Sequence, residues 1–232
     1  MTETSSDFVF SPAPQPSVPV AGTSARFPVR RILCVGRNYA AHAREMGADP
    51  TREAPFFFAK PGDAVAPGGG NVPYPSATSD LHHEVELVVA IGGSGRDLTP
   101  EQASKLVFGW AVGVDLTRRD LQAEAKKAAR PWDSAKGFDA SAPISEIIPF
   151  EALPNPTGRI RLSIDGQARQ DADLGDMIWD PCEVIAEASK LWQLAPGDLI
   201  FTGTPEGVGA IGRGEQAVAE IDGVGRLVFR MV

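Results

Sequence analysis

The chain has 232 residues, 43% of them hydrophobic, enough for one well-filled core and better suited to one large domain than to two small ones. With 22 basic and 30 acidic residues its net charge is -8, which argues against nucleic acid or an anionic membrane as the main partner and leaves small ligands. No apolar run reaches the roughly 18 residues a bilayer requires, no basic stretch followed by a long apolar core opens the chain, and two cysteines, Cys34 and Cys182, are too few for a disulfide framework. A cytoplasmic protein with two packing cysteines is expected.

Residues 1–25 are rich in Ser, Thr, Pro and Ala and read as a loosely held arm, with the folded domain running from 26 to 232. Arg31 to Gly36 predicts a buried strand. Asn38 then offers an N-cap for a short helix to about Met46, with Gly47 as its terminator. On that helix His42 and Glu45 lie three apart on one face, so the carboxylate can orient the imidazole for taking a proton near neutral pH; an ordinary surface pair has the same spacing. Pro55 to Pro61 is a short apolar strand carrying Lys60 between prolines, either reaching a site at the strand end or solvated.

The segment Leu81-His82-His83-Glu84-Val85-Glu86-Leu87-Val88-Val89-Ala90-Ile91 puts two acids into a strand that is otherwise apolar. Alternation places Glu84 and Glu86 on one face with Val88 and Ala90, and Val85, Leu87 and Val89 on the other. Two like charges aimed at an interior are costly unless a cation lies between them, which makes the pair candidate ligands for a hard divalent ion. An edge strand with two solvated glutamates is the alternative, weakened by the run from Leu87 to Ile91, which is apolar on both faces. Neighbours face opposite ways, so only His82 could join the acids; a satisfied or exposed imidazole is the simpler expectation for both histidines.

Thr99-Pro100-Glu101-Gln102 predicts a capped helix through Val107. Phe108 to Leu116 reads as a strand with Asp115 at its end, followed by a helix from Thr117 to about Ala129. Adding Asp115 to the two glutamates makes an all-oxygen ligand set, which favours Mg2+ or Mn2+ over zinc; capping of the next helix is the competing role for this aspartate. Trp132 to Asp139 reads as a loop that offers Lys136 to an anionic oxygen. Arg159 to Asp165 alternates cleanly into an Asp165-Gly166 turn and predicts half a hairpin. Asp180-Pro181-Cys182-Glu183 opens a capped helix. Asp198 to Phe201 then leads as a strand into Thr202-Gly203-Thr204-Pro205, whose hydroxyls and amides, Gly203 and Thr204 among them, suit a carboxylate. Gly207 to Gly212 matches G-x-G-x-x-G, but Arg213-Gly214 and the short remaining chain exclude a dinucleotide-binding unit.

In order, Val35-Gly36-Arg37-Asn38-Tyr39, His83 to Leu87, Asp115 to Asp120, Ala135 to Asp139 and Thr202 to Gly209 resemble the motifs of the fumarylacetoacetate hydrolase superfamily. The likeness spans about residues 30–232 and is strongest to its short bacterial acylpyruvate and fumarylpyruvate hydrolases. It implies an α+β, predominantly mixed-β fold, a β-roll with a few short helices like the C-terminal domain of that family, and a homodimer. It also implies Mg2+ or Mn2+ on Glu84, Glu86 and Asp115, catalytic roles for His42, Glu45 and Lys136, and substrate contacts from Lys60, Arg119, Gln122 and Thr204. Arg37 or Arg44 could pair with a second substrate carboxylate. The reaction so implied is hydrolysis of an acylpyruvate, fumarylpyruvate giving fumarate and pyruvate in aromatic-compound breakdown. Oxaloacetate decarboxylation, hydroxymuconate isomerisation or decarboxylation, and noncatalytic binding of a metal or small acid are the alternatives.

Overall fold

The computed structural model describes residues 8–41 and 53–232. Its strands are β1 (Ser17–Pro19), β2 (Arg26–Pro28), β3 (Arg31–Gly36), β4 (Phe56–Pro61), β5 (Val65–Pro67), β6 (Gly70–Val72), β7 (Leu81–His83), β8 (Val85–Ile91), β9 (Val107–Val114), β10 (Thr117–Arg118), β11 (Ala142–Ile144), β12 (Ile148–Pro149), β13 (Arg159–Ile164), β14 (Gln167–Asp173), β15 (Asp198–Phe201), β16 (Gly209–Ala210), β17 (Gln216–Ile221) and β18 (Gly225–Met231). Short helices interrupt them, among the described residues α1 (Pro100–Ala103), α2 (Arg119–Lys127), α3 (Asp133–Lys136) and α4 (Pro181–Leu191). The mixed-β expectation holds. Among the described residues no helix is long and apolar enough to cross a membrane.

The largest sheet runs β4-β3-β15-β8-β9-β11-β5, mixing parallel and antiparallel pairs. Its two ends, β4 and β5, are joined only by the turn Gly62–Ala64, and three residues reach about 10 Å at most. The sheet must therefore curl until its edges approach, which makes it a roll. Alternation then sorts its side chains. Ile32, Cys34, Val88, Ala90, Ala111, Ile144, Leu199 and Phe201 pack inside the roll. Leu87, Val89, Val112 and Val114 face outward, against Ile160, Leu162, Ala219, Leu227 and Phe229 of a second sheet, β14-β13-β17-β18-β6. With both faces covered, β8 is buried at every position, which accounts for its unbroken apolar run.

Three local expectations change. The arm expected over residues 1–25 contains β1, antiparallel to β2, and its Val18 and Val20 join the roll interior; their period-two spacing is concealed by the surrounding Ser and Pro. The helix expected through Val107 is one α turn and one 3-10 turn, with the Thr99 capping box intact. The loop expected at Trp132 to Asp139 contains α3, a single turn. The capped helix α4 and the Asp165-Gly166 hairpin turn, whose residues have φ of 46° and 78°, form as read. Gly209–Ala210 is a two-residue strand and not a helix start, in keeping with rejection of the dinucleotide motif.

Candidate metal centre and substrate pocket

The predicted single strand at 81–91 is broken at Glu84. Before the break β7 pairs with β10 and β16; after it β8 pairs with β9. The partner chain bends at the same level, since Asp115 lies between β9 and β10, and the Asp115 N–H donates to Glu84 O at 2.8 Å. Glu84 and Asp115 therefore face each other across one kink in a strand pair, where side chains escape strict alternation. Glu86 stands two residues into the sheet opposite Gly113, where a Cβ would come within 2.6 Å of both Val88 and Phe201 side-chain atoms.

From these positions one carboxylate oxygen of each acid comes within 4.8 Å of the others, and all three residues are buried. Cations surround them. Lys136 Nζ donates to Glu84 Oε2 at 2.8 Å, Asp115 Oδ2 at 2.7 Å and Thr117 Oγ1 at 2.6 Å. Arg119 pairs with the other oxygen of Glu84, and Lys60 Nζ lies 2.8 Å from Asp115 Oδ1. Burial works against the charged form of Glu84, yet Lys136 and Arg119 outweigh it and hold this carboxyl well below the usual range. For Glu86, burial and then repulsion by Asp115 and Glu84 push the carboxyl well above its ordinary value. Lys136 moves up, because Asp115 and Glu84 overcome the cost of its burial.

The donor set fits a hard divalent cation. It is all oxygen, Glu86 is held against two like charges, and Asp115 Oδ1, although close to Lys60, is buried with no aligned hydrogen bond.

A pocket opens above this cluster, lined among others by Arg37, Glu84, Glu86, Arg119, Gln122, Lys126, Lys136 and Thr204. Arg119 sits at the start of α2, where Nη1 donates to Gln122 Oε1 at 2.6 Å and Nε to His82 Nδ1 at 3.3 Å. Because Gln122 Oε1 is thus occupied, its NH2 end is the one available to the pocket. His82 completes a chain to Asp80, 2.9 Å away, and stays outside the acid cluster. His83 is buried against Gln170, and burial lowers its pKa to about 4. Neither imidazole joins the carboxylates.

Two expected substrate contacts are placed elsewhere. The Lys60 ammonium is spent on carbonyls, Leu116 O and Ser141 O at 3.1 Å each and Lys136 O, besides Asp115, so it clamps the segments that carry the site. The Gly203 N–H donates to Glu86 Oε2 at 2.6 Å, so the turn does bind a carboxylate, but the protein's own. That turn is pinned by Asn38, whose amide meets Trp179 and Thr202 backbone at 2.8 Å. His42, Arg44 and Glu45 lie outside the described residues.

Two contributors escaped the sequence reading. Gln170, on the strand that returns from the Asp165-Gly166 turn, accepts at Oε1 from Val85 N–H and His83 Nδ1, both at 3.1 Å, and donates from Nε2 to Thr204 Oγ1 at 2.8 Å and Pro205 O at 2.9 Å. Lys126 falls seven residues after Arg119 and four after Gln122, on the same face of α2; that helical spacing is the signal that could have found it.

A roll closed over an acid cluster with a cationic wall defines the class. The chain belongs to the fumarylacetoacetate hydrolase family, whose C-terminal domain model matches residues 31–232. It is similar to fumarylpyruvate hydrolase from Pseudomonas aeruginosa, solved in complex with Mn2+ and pyruvate, with 49% identity and a TM-score of 0.95 over 97% of this chain and 99% of that one. It is 40% identical to fumarylpyruvate hydrolase of a Ralstonia species over 77% of this chain and 93% of the relative. The mitochondrial oxaloacetate tautomerase FAHD1 of Rattus norvegicus is 42% identical over 87% of this chain and 91% of its own length.

Proposed function

We propose that the protein is a metal-dependent hydrolase that cleaves the carbon–carbon bond of an acylpyruvate, fumarylpyruvate foremost, to a carboxylic acid and pyruvate. The observation that carries the reading is the convergence of Glu84, Glu86 and Asp115 at the floor of a pocket whose wall is cationic. These three residues would hold Mg2+ or Mn2+, and the ion would supply Lewis-acid polarisation of the 2-oxo acid. Mn2+ with pyruvate in the Pseudomonas relative supports that choice.

The chain's own residues supply the rest. Arg119, the Gln122 amide and the Thr204 hydroxyl line the pocket and offer hydrogen bonds to the oxygens of the pyruvyl end. His42, oriented by Glu45, takes a proton from the water that attacks the distal carbonyl, a role carried by the sequence resemblance. As the bond breaks, its electron pair passes to the pyruvyl fragment as an enolate, and Lys136 places a fixed positive charge beside the developing oxyanion. Protonation of that fragment at carbon completes pyruvate, while the hydroxyl of the water leaves in the acid. A homodimer in the cytoplasm, serving aromatic-compound breakdown, belongs to the same proposal.

The FAHD1 relative favours a second reading, in which the same cationic pocket only moves a proton between the keto and enol forms of oxaloacetate. Pyruvate release from fumarylpyruvate, acetylpyruvate and oxaloacetate by the Mn2+-loaded enzyme separates the two. The hydrolase reading expects release from the acylpyruvates, abolished by chelator, and a loss of about 10²-fold or more in His42→Ala. Loss of the oxaloacetate enol signal without pyruvate release from any acylpyruvate would favour the tautomerase.

A further inference from the structure

The carboxylates at the pocket floor meet three cations, Lys60, Lys136 and Arg119. Two more cations line the same pocket, Arg37 and Lys126. Neither makes an ion pair with a carboxylate among the described residues. Each lies on an aromatic ring instead. The Arg37 guanidinium is 5.6 Å from the centre of Phe56 and Lys126 Nζ is 5.1 Å from that of Trp132. The two rings meet edge to face with centroids 5.6 Å apart, so the four side chains form one wall. Arg37 is held there by a left-handed backbone, φ 62°, unusual for arginine. Burial, and then the neighbouring charges of Arg119 and Arg37, lower the Lys126 pKa. Two cations on the wall of one cleft, neither paired with an acid among the described residues, favour an anionic ligand.

Helix α2 measures how far away that anion lies. Arg119 touches Glu84 at the floor, and Lys126 is seven residues along the same face, about 10 Å at 1.5 Å per residue. An extended acylpyruvate with a carboxylate at each end has six carbon–carbon bonds of about 1.5 Å, about 8 Å end to end once bond angles are counted. With the pyruvyl carboxylate near Arg119, the far carboxylate falls beside Lys126.

We propose that Arg37 and Lys126, mounted on Phe56 and Trp132, form an anion subsite that takes a terminal carboxylate on the acyl tail and makes the enzyme selective for dicarboxylic acylpyruvates. This rests on the hydrolase reading for the identity of the substrate, but not for the presence of the subsite.

The test compares Lys126→Met and Lys126→Arg with the wild-type Mn2+ enzyme on fumarylpyruvate and on acetylpyruvate, whose tail has no carboxylate. The expected result is a fall of about 10- to 100-fold in kcat/KM for fumarylpyruvate in Lys126→Met, within the range for a charge-assisted hydrogen bond. Acetylpyruvate should change less than about 3-fold, and Lys126→Arg should recover most of the loss. Equal losses on both substrates, or no loss on either, overturn the subsite. Should the wild-type enzyme cleave neither substrate, the hydrolase reading has failed and the subsite is judged by Trp132 fluorescence in the intact protein. Fumarate, a dianion, should then perturb the emission at lower concentration than crotonate, a monoanion, and Lys126→Met should remove the difference. Identical titrations in the two proteins overturn it.

Discussion

Gln170 Nε2 lies 2.8 Å from Thr204 Oγ1, and that bond decides which way the threonine hydroxyl points. Val85 N–H can only donate, so Gln170 Oε1 must face it and Nε2 must face Thr204. The threonine oxygen is thereby made an acceptor, and its proton is left for the pocket that Thr204 lines. Replacing Gln170 by Glu puts an acceptor there and draws the hydroxyl proton away from the substrate. We expect kcat/KM to fall about 10-fold or more, mainly through KM, with Thr204→Val similarly impaired and the double variant no worse than Thr204→Val alone. Additive losses in the double variant would show that Gln170 acts by some route other than Thr204.

Glu86→Gln should separate metal binding from folding. Glutamine keeps an acceptor for Gly203 N–H while removing a buried charge that Asp115 and Glu84 repel. The metal-free variant is expected to gain about 1 kcal/mol, or about 2–4 °C in Tm. Its affinity for Mn2+ by calorimetry should drop at least about 10-fold. Unchanged Mn2+ affinity would remove Glu86 from the ligand set.

Lys60 is assigned to the scaffold by its three carbonyl partners, and Lys60→Met tests that. Loss of the buried ammonium leaves those carbonyls and Asp115 without their cation, a cost of about 3–5 kcal/mol. Urea denaturation should show it directly. A variant with wild-type stability and a raised KM would return Lys60 to the substrate.

His83 ties stability to pH. Its folded pKa is lowered to about 4 from an ordinary value of 6.5, chiefly by burial, so the unfolded chain binds a proton that the folded chain refuses. Stability from this group is present above pH 6.5 and is lost as pH falls toward 4, about 2 kcal/mol by pH 5. Denaturant midpoints at pH 7 and pH 5 should converge in His83→Gln relative to the wild type. An equal pH dependence in both proteins would exclude His83 as its source.

How much of this was visible in the chain depended on whether partners were near in sequence or far. Glu84, Glu86 and Asp115 stand out because charges among apolar residues, or at strand ends, need an explanation wherever they occur, and Lys136 because it is one lysine among the short residues of a loop. The carbonyl partners of Lys60 are not legible in the chain, since Leu116, Lys136 and Ser141 are distant in sequence and a carbonyl leaves no trace in side-chain identity. Gln170 was invisible for a related reason. A polar residue on an alternating hairpin looks solvent-facing, and only the packing of β14 near Val85 shows it is buried. The break at Glu84 was missed because β-strand alternation was extended across a residue where the chain changes sheets.

The site balances three acids with three amines or guanidinium groups of its own, Lys60, Lys136 and Arg119. A polypeptide neutralised in this way has no need of an ion as a folding template, unlike small domains that collapse only around zinc. Lys136 bonds two of the three carboxylates, so one ammonium belongs at once to the acid cluster and to the pocket wall above it.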